Sequence, residues 1–177
     1  MFALWLSALL HLYIGWRIAP DLPGPLSAGA FIALLVASAI LIPLAFFGRR
    51  SRNRDTADRA SWAGMLALGL FSTLLVLTLL RDVALLLAWP LGIGSLAGWS
   101  AIAVPLLALA VVAVGFVNAR RTARVREVEV PVAGLPQALY GFTIAQISDI
   151  HVGPTIKGPY VRRIIPPAPL NARLTAA

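Results

Sequence analysis

Residues 26–47, LSAGAFIALLVASAILIPLAFF, contain no charged side chain and are apolar at most positions. A helix rises about 1.5 Å per residue and the hydrocarbon core of a bilayer is about 30 Å thick, so roughly 20 apolar residues cross it. The stretch therefore predicts a transmembrane helix, because lipid offers no hydrogen-bond partner for an open backbone.

The composition of the whole chain points to the same environment. Of its 177 residues, 59% are hydrophobic and 12% are charged, whereas soluble domains are about 45–50% apolar and about 25% charged. These values exclude a water-soluble single domain and a disordered acidic tail. The absence of cysteine excludes a disulfide-stapled secreted module.

Three further apolar stretches have the length of a membrane span, and they cover residues 2–19, 62–80 and 99–117. We interpret the first as a retained helix rather than a cleaved signal peptide, because its start carries no basic residue. We therefore predict an all-α transmembrane four-helix bundle over residues 1–118. Residues 83–98 leave three alternatives open: a fifth short span, a re-entrant segment or an extension of the third helix.

The distribution of arginine predicts the orientation of the bundle. The loop after the second span and the segment after the fourth span are both rich in arginine. Basic residues accumulate on the cytoplasmic side, and four spans place both segments on the same side. We predict a multi-pass protein of the cytoplasmic membrane with both termini in the cytoplasm. Its expected partner is the lipid bilayer and not a nucleic acid, because the arginine-rich loop lacks interleaved aromatic residues.

Ionisable residues within or beside the spans are the second feature that needs an explanation. At the predicted outer interface, Arg17 could pair with Asp82, or Asp21 with Arg81. We favour structural pairing with interfacial snorkelling, and a binding site for a lipid head group is the functional alternative. His11 lies in the middle of the first span, where a neutral, hydrogen-bonded packing residue is favoured over a functional group.

After the fourth span the pattern changes, and residues 119–177 predict the cytoplasmic start of a second domain. Apolar residues alternate with glutamates with a period of two, which is typical of a strand; they are Val125, Glu127, Val128, Glu129, Val130 and Val132. A turn at residues 133–136 and a second candidate strand at residues 140–148 follow. We therefore predict a short, incomplete α/β stub that contains a β-hairpin.

The second candidate strand runs into QISDIHVG, residues 146–153. Asp149 and His151 are two residues apart, so in a strand they share one face and could converge on one cation. A carboxylate oxygen with an imidazole nitrogen suits Mn²⁺, Fe²⁺ or Zn²⁺ better than Ca²⁺. Taken alone, an Asp-X-His pair is more often an ordinary polar strand end.

The longer stretch LPQALYGFTIAQISDIHVG, residues 135–153, resembles the opening of the calcineurin-like metallophosphoesterases. It looks most like the bacterial type that carries N-terminal transmembrane helices, and the resemblance covers residues 125–164. It implies that Asp149 and His151 are the first two ligands of a two-metal site that clamps a phosphate ester for in-line attack. A membrane anchor further suggests a lipid-linked phosphoester as substrate.

The sequence departs from that family after this motif. The family continues with Gly-Asp-X-X-Asp, Gly-Asn-His-Asp or Glu, and Gly-His-X-His, but here Asp149 is the last acidic residue and His151 the last histidine. We therefore expect a truncated, inactive product in which no residue is assigned a catalytic role. The alternative is a non-enzymatic multi-pass membrane protein, either an assembly partner or a small transporter.

Overall fold

The computed structural model describes residues 2–48, 53–93, 95–121, 126, 128–139, 141, 142, 144, 146, 153 and 156–164. The chain divides into two units, Met1–Arg120 and Arg121–Ala177.

The first unit consists of four long helices joined by short turns. They are α1 (Phe2–Ile18), α2 (Gly24–Gly48), α3 (Arg54–Ala88) and α4 (Leu96–Arg120). Within the described residues, these are the helices long and apolar enough to cross a membrane. The prediction of a membrane protein with four long apolar helices is therefore confirmed.

Helices α3 and α4 run antiparallel, as contacts near both of their ends show. Near the start of α3, the ring of Trp62 lies edge-on to Phe116 of α4, with 5.9 Å between ring centroids. The guanidinium of Arg120, the last residue of α4, lies 5.3 Å from the Trp62 ring centroid. Near the other end, Arg81 of α3 donates to Ser100 close to the start of α4. The start of α3 and the end of α4 therefore lie at the same end of the unit.

Helix α3 begins earlier than the predicted third span. The side chain of Asn53 accepts hydrogen bonds from the backbone amides of Asp55 and Thr56, at 3.0 and 3.4 Å. This N-cap satisfies two amides that have no partner inside the helix. The helix therefore starts within the polar loop, several residues before the apolar run.

The other end of α3 settles how residues 83–88 fold. Residues 83–88 continue α3, so for these residues the prediction of an extended third helix is correct, and neither a fifth span nor a re-entrant segment forms there. A single 3-10 turn, Trp89–Leu91, follows, and Gly92 then adopts a left-handed conformation with φ 68°. The span was predicted to stop at Arg81, but a charged residue does not end a helix; a glycine cap or a proline does.

Helices α2 and α3 pack closely through small side chains. Gly64 of α3 faces α2, and a Cβ atom added there would overlap the Cβ of Ala45 and lie 2.7 Å from the carbonyl oxygen of Leu41. Since lipid tails are as apolar as leucine, helices in a membrane associate mainly through such close packing and through interhelical hydrogen bonds. Gly64 therefore fixes the distance between the two helices.

The interior of this unit contains polar as well as apolar side chains. The largest fully buried side chains are Ile14, Ile18, Leu74 and Thr78. The buried polar residues are His11, Ser38, Ser61, Thr78 and Arg81. A buried polar group destabilises the protein unless it is hydrogen-bonded. Thr78 donates to the carbonyl of Leu74 in its own helix, and Ser61 Oγ has no partner within the described residues, whereas His11, Ser38 and Arg81 bond to other helices.

In the second unit, the described residues form a turn at Ala133 and Gly134, a single 3-10 turn at Gln137–Leu139 and a short helix, α5 (Gly158–Ile164). Residues 128–132, part of the predicted first strand, form no strand. Most of the predicted second strand, residues 140–148, lies outside the described residues. A two-stranded hairpin is only marginally stable without a layer that covers it, and the hairpin stays a prediction.

Candidate functional site

The predicted metal ligands Asp149 and His151 lie outside the described residues. In the part of the chain that the structure describes, no group of three or more His, Cys, Asp or Glu residues could hold a metal ion. One carboxylate and one imidazole suit a transition-metal ion, but a two-metal centre needs several protein ligands for each ion. These two residues do not complete such a centre, so no catalytic step is assigned to them.

The ionisable residues predicted at the outer interface do come together. They lie where the end of α1 meets α3 and the start of α4. We call this group the arginine–aspartate cluster, and its members are Tyr13, Arg17, Asp21, Arg81, Asp82 and Ser100. The structure contains both of the pairings considered from the sequence, Arg17 with Asp82 and Arg81 with Asp21.

Arg81 lies at the centre of the cluster, with its side chain only 1% exposed. Its Nε donates to Ser100 Oγ at 2.9 Å, its Nη1 to the carbonyl of Arg17 at 2.7 Å, and its Nη2 to the carbonyl of Ala97 at 3.1 Å and to the carboxylate of Asp21. The Arg17 carbonyl belongs to the last turn of α1, where a cation is favoured by the helix dipole. One side chain therefore connects α1, α3, α4 and the turn after α1.

Asp82, the next residue along α3, is held from α1. Nε of Arg17 lies 2.9 and 2.8 Å from its two carboxylate oxygens, and the hydroxyl of Tyr13 donates to it at 2.6 Å. Nη1 of Arg81 lies 3.9 Å from the same carboxylate. The cluster contains two arginines and two aspartates, so its charges balance, and each of the four side chains is hydrogen-bonded. Proteins tolerate charges away from water under these two conditions.

His11 occupies a separate polar site in the middle of the bundle. Its Nδ1–H donates to the carbonyl of Ser7 at 2.7 Å, and its Nε2 lies 3.2 Å from Ser38 Oγ of α2. Its ring stacks on Phe71 of α3, with 4.2 Å between centroids. The residue thus joins three helices as a hydrogen-bonded packing residue, the interpretation that the sequence favoured.

Comparison with known proteins gives one partial match. It is similar to a "Transmembrane protein with metallophosphoesterase domain" from Danio rerio, with 44% identity over 61 residues. The match covers 34% of this chain and 14% of the relative, so the chain spans a small part of that protein's length. No family model matches the chain, and no solved structure matches it either.

This similarity supports a general resemblance to metallophosphoesterases with transmembrane helices and nothing more specific. It relates the chain to a transmembrane protein with a metallophosphoesterase domain. The more specific resemblance to the bacterial type stays a prediction, as do the metal ligands.

Three residues of the polar sites were missed from the sequence. Tyr13 could have been found, because it precedes Arg17 by four residues and so lies on the same helix face. Ser38 and Ser100 gave no signal, since a single sequence does not distinguish a bonding serine from any other small residue in a span. Their roles depend on which helices pack together.

Proposed function

We propose that this chain belongs to a membrane-anchored metal-dependent phosphoesterase, which hydrolyses phosphate esters at a two-metal site, and that the chain by itself is inactive. The proposal rests on one combination: four apolar helices in a chain that is similar to a transmembrane protein with a metallophosphoesterase domain. In this interpretation residues 1–118 form the anchor, and residues 119–177 begin the hydrolase domain with a β-hairpin.

Asp149 and His151 are the proposed first two ligands for Mn²⁺, Fe²⁺ or Zn²⁺. When bound, such ions clamp the ester and stabilise the charge that develops during in-line displacement. Two ligands hold a metal weakly, so the 177-residue chain is expected to bind one divalent ion with low affinity and to hydrolyse no phosphodiester. Turnover of a chromogenic phosphodiester by the purified chain, lost in Asp149→Ala, would show that this expectation is wrong.

Metal titration tests the proposed ligands directly. The chain is titrated with Mn²⁺ and Zn²⁺ beside the variants Asp149→Ala and His151→Ala, with Glu129→Ala as a matched carboxylate control in the same unit. We expect each ligand variant to lose binding and the control to retain it. No binding by the unmutated chain would instead favour a non-enzymatic multi-pass membrane protein.

We also propose that the protein lies in the cytoplasmic membrane with both termini in the cytoplasm. In support, Arg54 and Arg59 at the start of α3 lie at the same end of the bundle as Arg120, in agreement with the positive-inside rule. Because the chain has no cysteine, single-cysteine variants can be labelled cleanly in intact cells. An impermeant thiol reagent is expected to label Ser95→Cys but not Ala57→Cys, and the reverse result would invert the topology.

A lipid-linked phosphoester is the proposed substrate class. Confinement of enzyme and substrate to one bilayer raises the effective concentration of the substrate. In a polypeptide that carries the remaining ligands, hydrolysis of a lipid-linked diester is expected to exceed that of its soluble analogue. Equal rates in the presence of vesicles would argue against this substrate.

A further inference from the structure

The two arginines of the arginine–aspartate cluster share Asp82 but differ in how their donors are used. Arg81 is buried, and all three of its nitrogens donate hydrogen bonds. The side chain of Arg17 is 36% exposed and donates to Asp82 through Nε alone. Within the described residues, neither Nη atom of Arg17 has a hydrogen-bond acceptor. These two groups carry four N–H donors in a planar fork.

The carboxylate that holds Arg17 is itself fixed in position. Asp82 accepts from the Tyr13 hydroxyl and from Arg17 Nε on its two oxygens, and Arg81 lies on its buried side at 3.9 Å. The hydrogen bonds from Nε to Asp82 therefore fix the orientation of the Arg17 guanidinium. Its Nη1 and Nη2 groups, on the other edge, are available to an acceptor from another molecule.

Tryptophan side chains place this edge near the level of lipid head groups. Trp16 precedes Arg17 and is 75% exposed, and Trp99 in the first turn of α4 is 73% exposed. Trp89, in the turn between α3 and α4, is also exposed. Indole rings concentrate at the membrane–water interface, so three exposed indoles at the same end of the unit mark that interface around Arg17.

We propose that the Nη1 and Nη2 groups of Arg17 bind the phosphate of a membrane lipid. A guanidinium fork matches a phosphate with two parallel charge-assisted hydrogen bonds, which an ammonium does not reproduce. The inference is independent of the proposed hydrolysis, because the cluster lies at the opposite end of the bundle from Arg120. In this proposal Arg17 binds a lipid phosphate through its Nη groups and pairs with Asp82 through Nε.

The test measures lipid binding by the purified 177-residue chain in a non-ionic detergent. Phosphatidylglycerol is added, with monogalactosyldiacylglycerol as a phosphate-free lipid and inorganic phosphate as a soluble source of the same group. Bound lipid is counted by native mass spectrometry, and the thermal unfolding midpoint is recorded, since a ligand that binds only the folded state raises it. The variants are Arg17→Gln, Arg17→Lys and, as a control, Arg59→Gln on an exposed arginine at the other end.

Phosphatidylglycerol is expected to bind the unmutated chain and to raise its midpoint, whereas the galactolipid and inorganic phosphate are not. Arg17→Gln is expected to abolish the effect, and Arg59→Gln to retain it. Arg17→Lys decides the matter if Arg17→Gln does not fold, because lysine keeps the charge next to Asp82 without the fork. Its affinity for the lipid is expected to fall by about tenfold, the equivalent of one charge-assisted hydrogen bond.

Three results would overturn the proposal. The first is an Arg17→Lys chain that binds phosphatidylglycerol as well as the unmutated chain does. The second is an equal loss in Arg59→Gln, which would mean that overall charge attracts the lipid. The third is equal stabilisation by inorganic phosphate, which would assign the fork to a soluble anion.

Discussion

Substitution of Arg81 by methionine removes the central side chain of the arginine–aspartate cluster while keeping most of its apolar length. Arg81 donates four hydrogen bonds. Interhelical hydrogen bonds in membranes contribute about 0.6 kcal/mol each on average, so their loss alone lowers the free energy of unfolding by roughly 2 kcal/mol. The substitution also leaves the Asp21 carboxylate without its cation; because that side chain is 37% exposed, water solvates it, and this cost stays below the about 3–5 kcal/mol of a fully buried pair. We expect a loss of about 2–5 kcal/mol.

The assay is reversible unfolding of the purified chain in mixed micelles, followed by the loss of helical signal. Arg59→Met serves as the control, because Arg59 is exposed at the other end of the bundle, and it should leave stability unchanged. The double variant Arg81→Met/Asp21→Asn should recover part of the loss, because it also removes the unpaired carboxylate. Full stability of Arg81→Met would refute the view that the cluster holds the helices together.

Three further substitutions test other contacts in the same assay. Gly64→Ala should lower the free energy of unfolding by about 1–3 kcal/mol through overpacking. The control Gly69→Ala should be neutral or stabilising, because a Cβ atom added there meets nothing within 4 Å. Equal effects of the two substitutions would contradict the close approach of α2 and α3. Tyr13→Phe should cost about 1 kcal/mol through one lost hydrogen bond, and an unchanged stability would mean that this bond contributes nothing. Ser38→Ala should cost about 1–2 kcal/mol, since it leaves Nε2 of His11 without a partner; a more stable variant would contradict the described site.

The membrane fold was largely predictable from the sequence because its main determinant is local. A stretch such as residues 26–47 has few alternatives to a spanning helix, since backbone polar groups need partners inside the segment. Element ends were less predictable: α3 continues past Arg81 to Ala88 and ends before the turn that contains Pro90 and Gly92, while the charge of Arg81 is paired with Asp21, which is distant in the chain. A single sequence does not show which distant residues will be neighbours.

The polar sites likewise contain some residues that were predictable from the sequence and others that depend on how the helices pack. Complementary charges made the pairing of Arg17 with Asp82 a reasonable hypothesis, because opposite charges near a membrane have few other partners. The hydroxyls that complete these sites, such as those of Ser38 and Ser100, were not predictable, because their roles follow from helix packing. Asp149 and His151 were proposed from a motif alone; both lie outside the described residues, so the metal site stays a prediction.

Electron spin-echo envelope modulation of Mn²⁺ added to the chain is the most direct test of the proposal that Asp149 and His151 bind one divalent ion together. We expect modulation from an imidazole nitrogen, its loss in His151→Ala, and weaker Mn²⁺ binding in Asp149→Ala. The chain has two histidines, so His11→Gln is the matched control and should leave the signal intact. An unmutated chain without nitrogen modulation, or a signal that persists in His151→Ala, would contradict the claim.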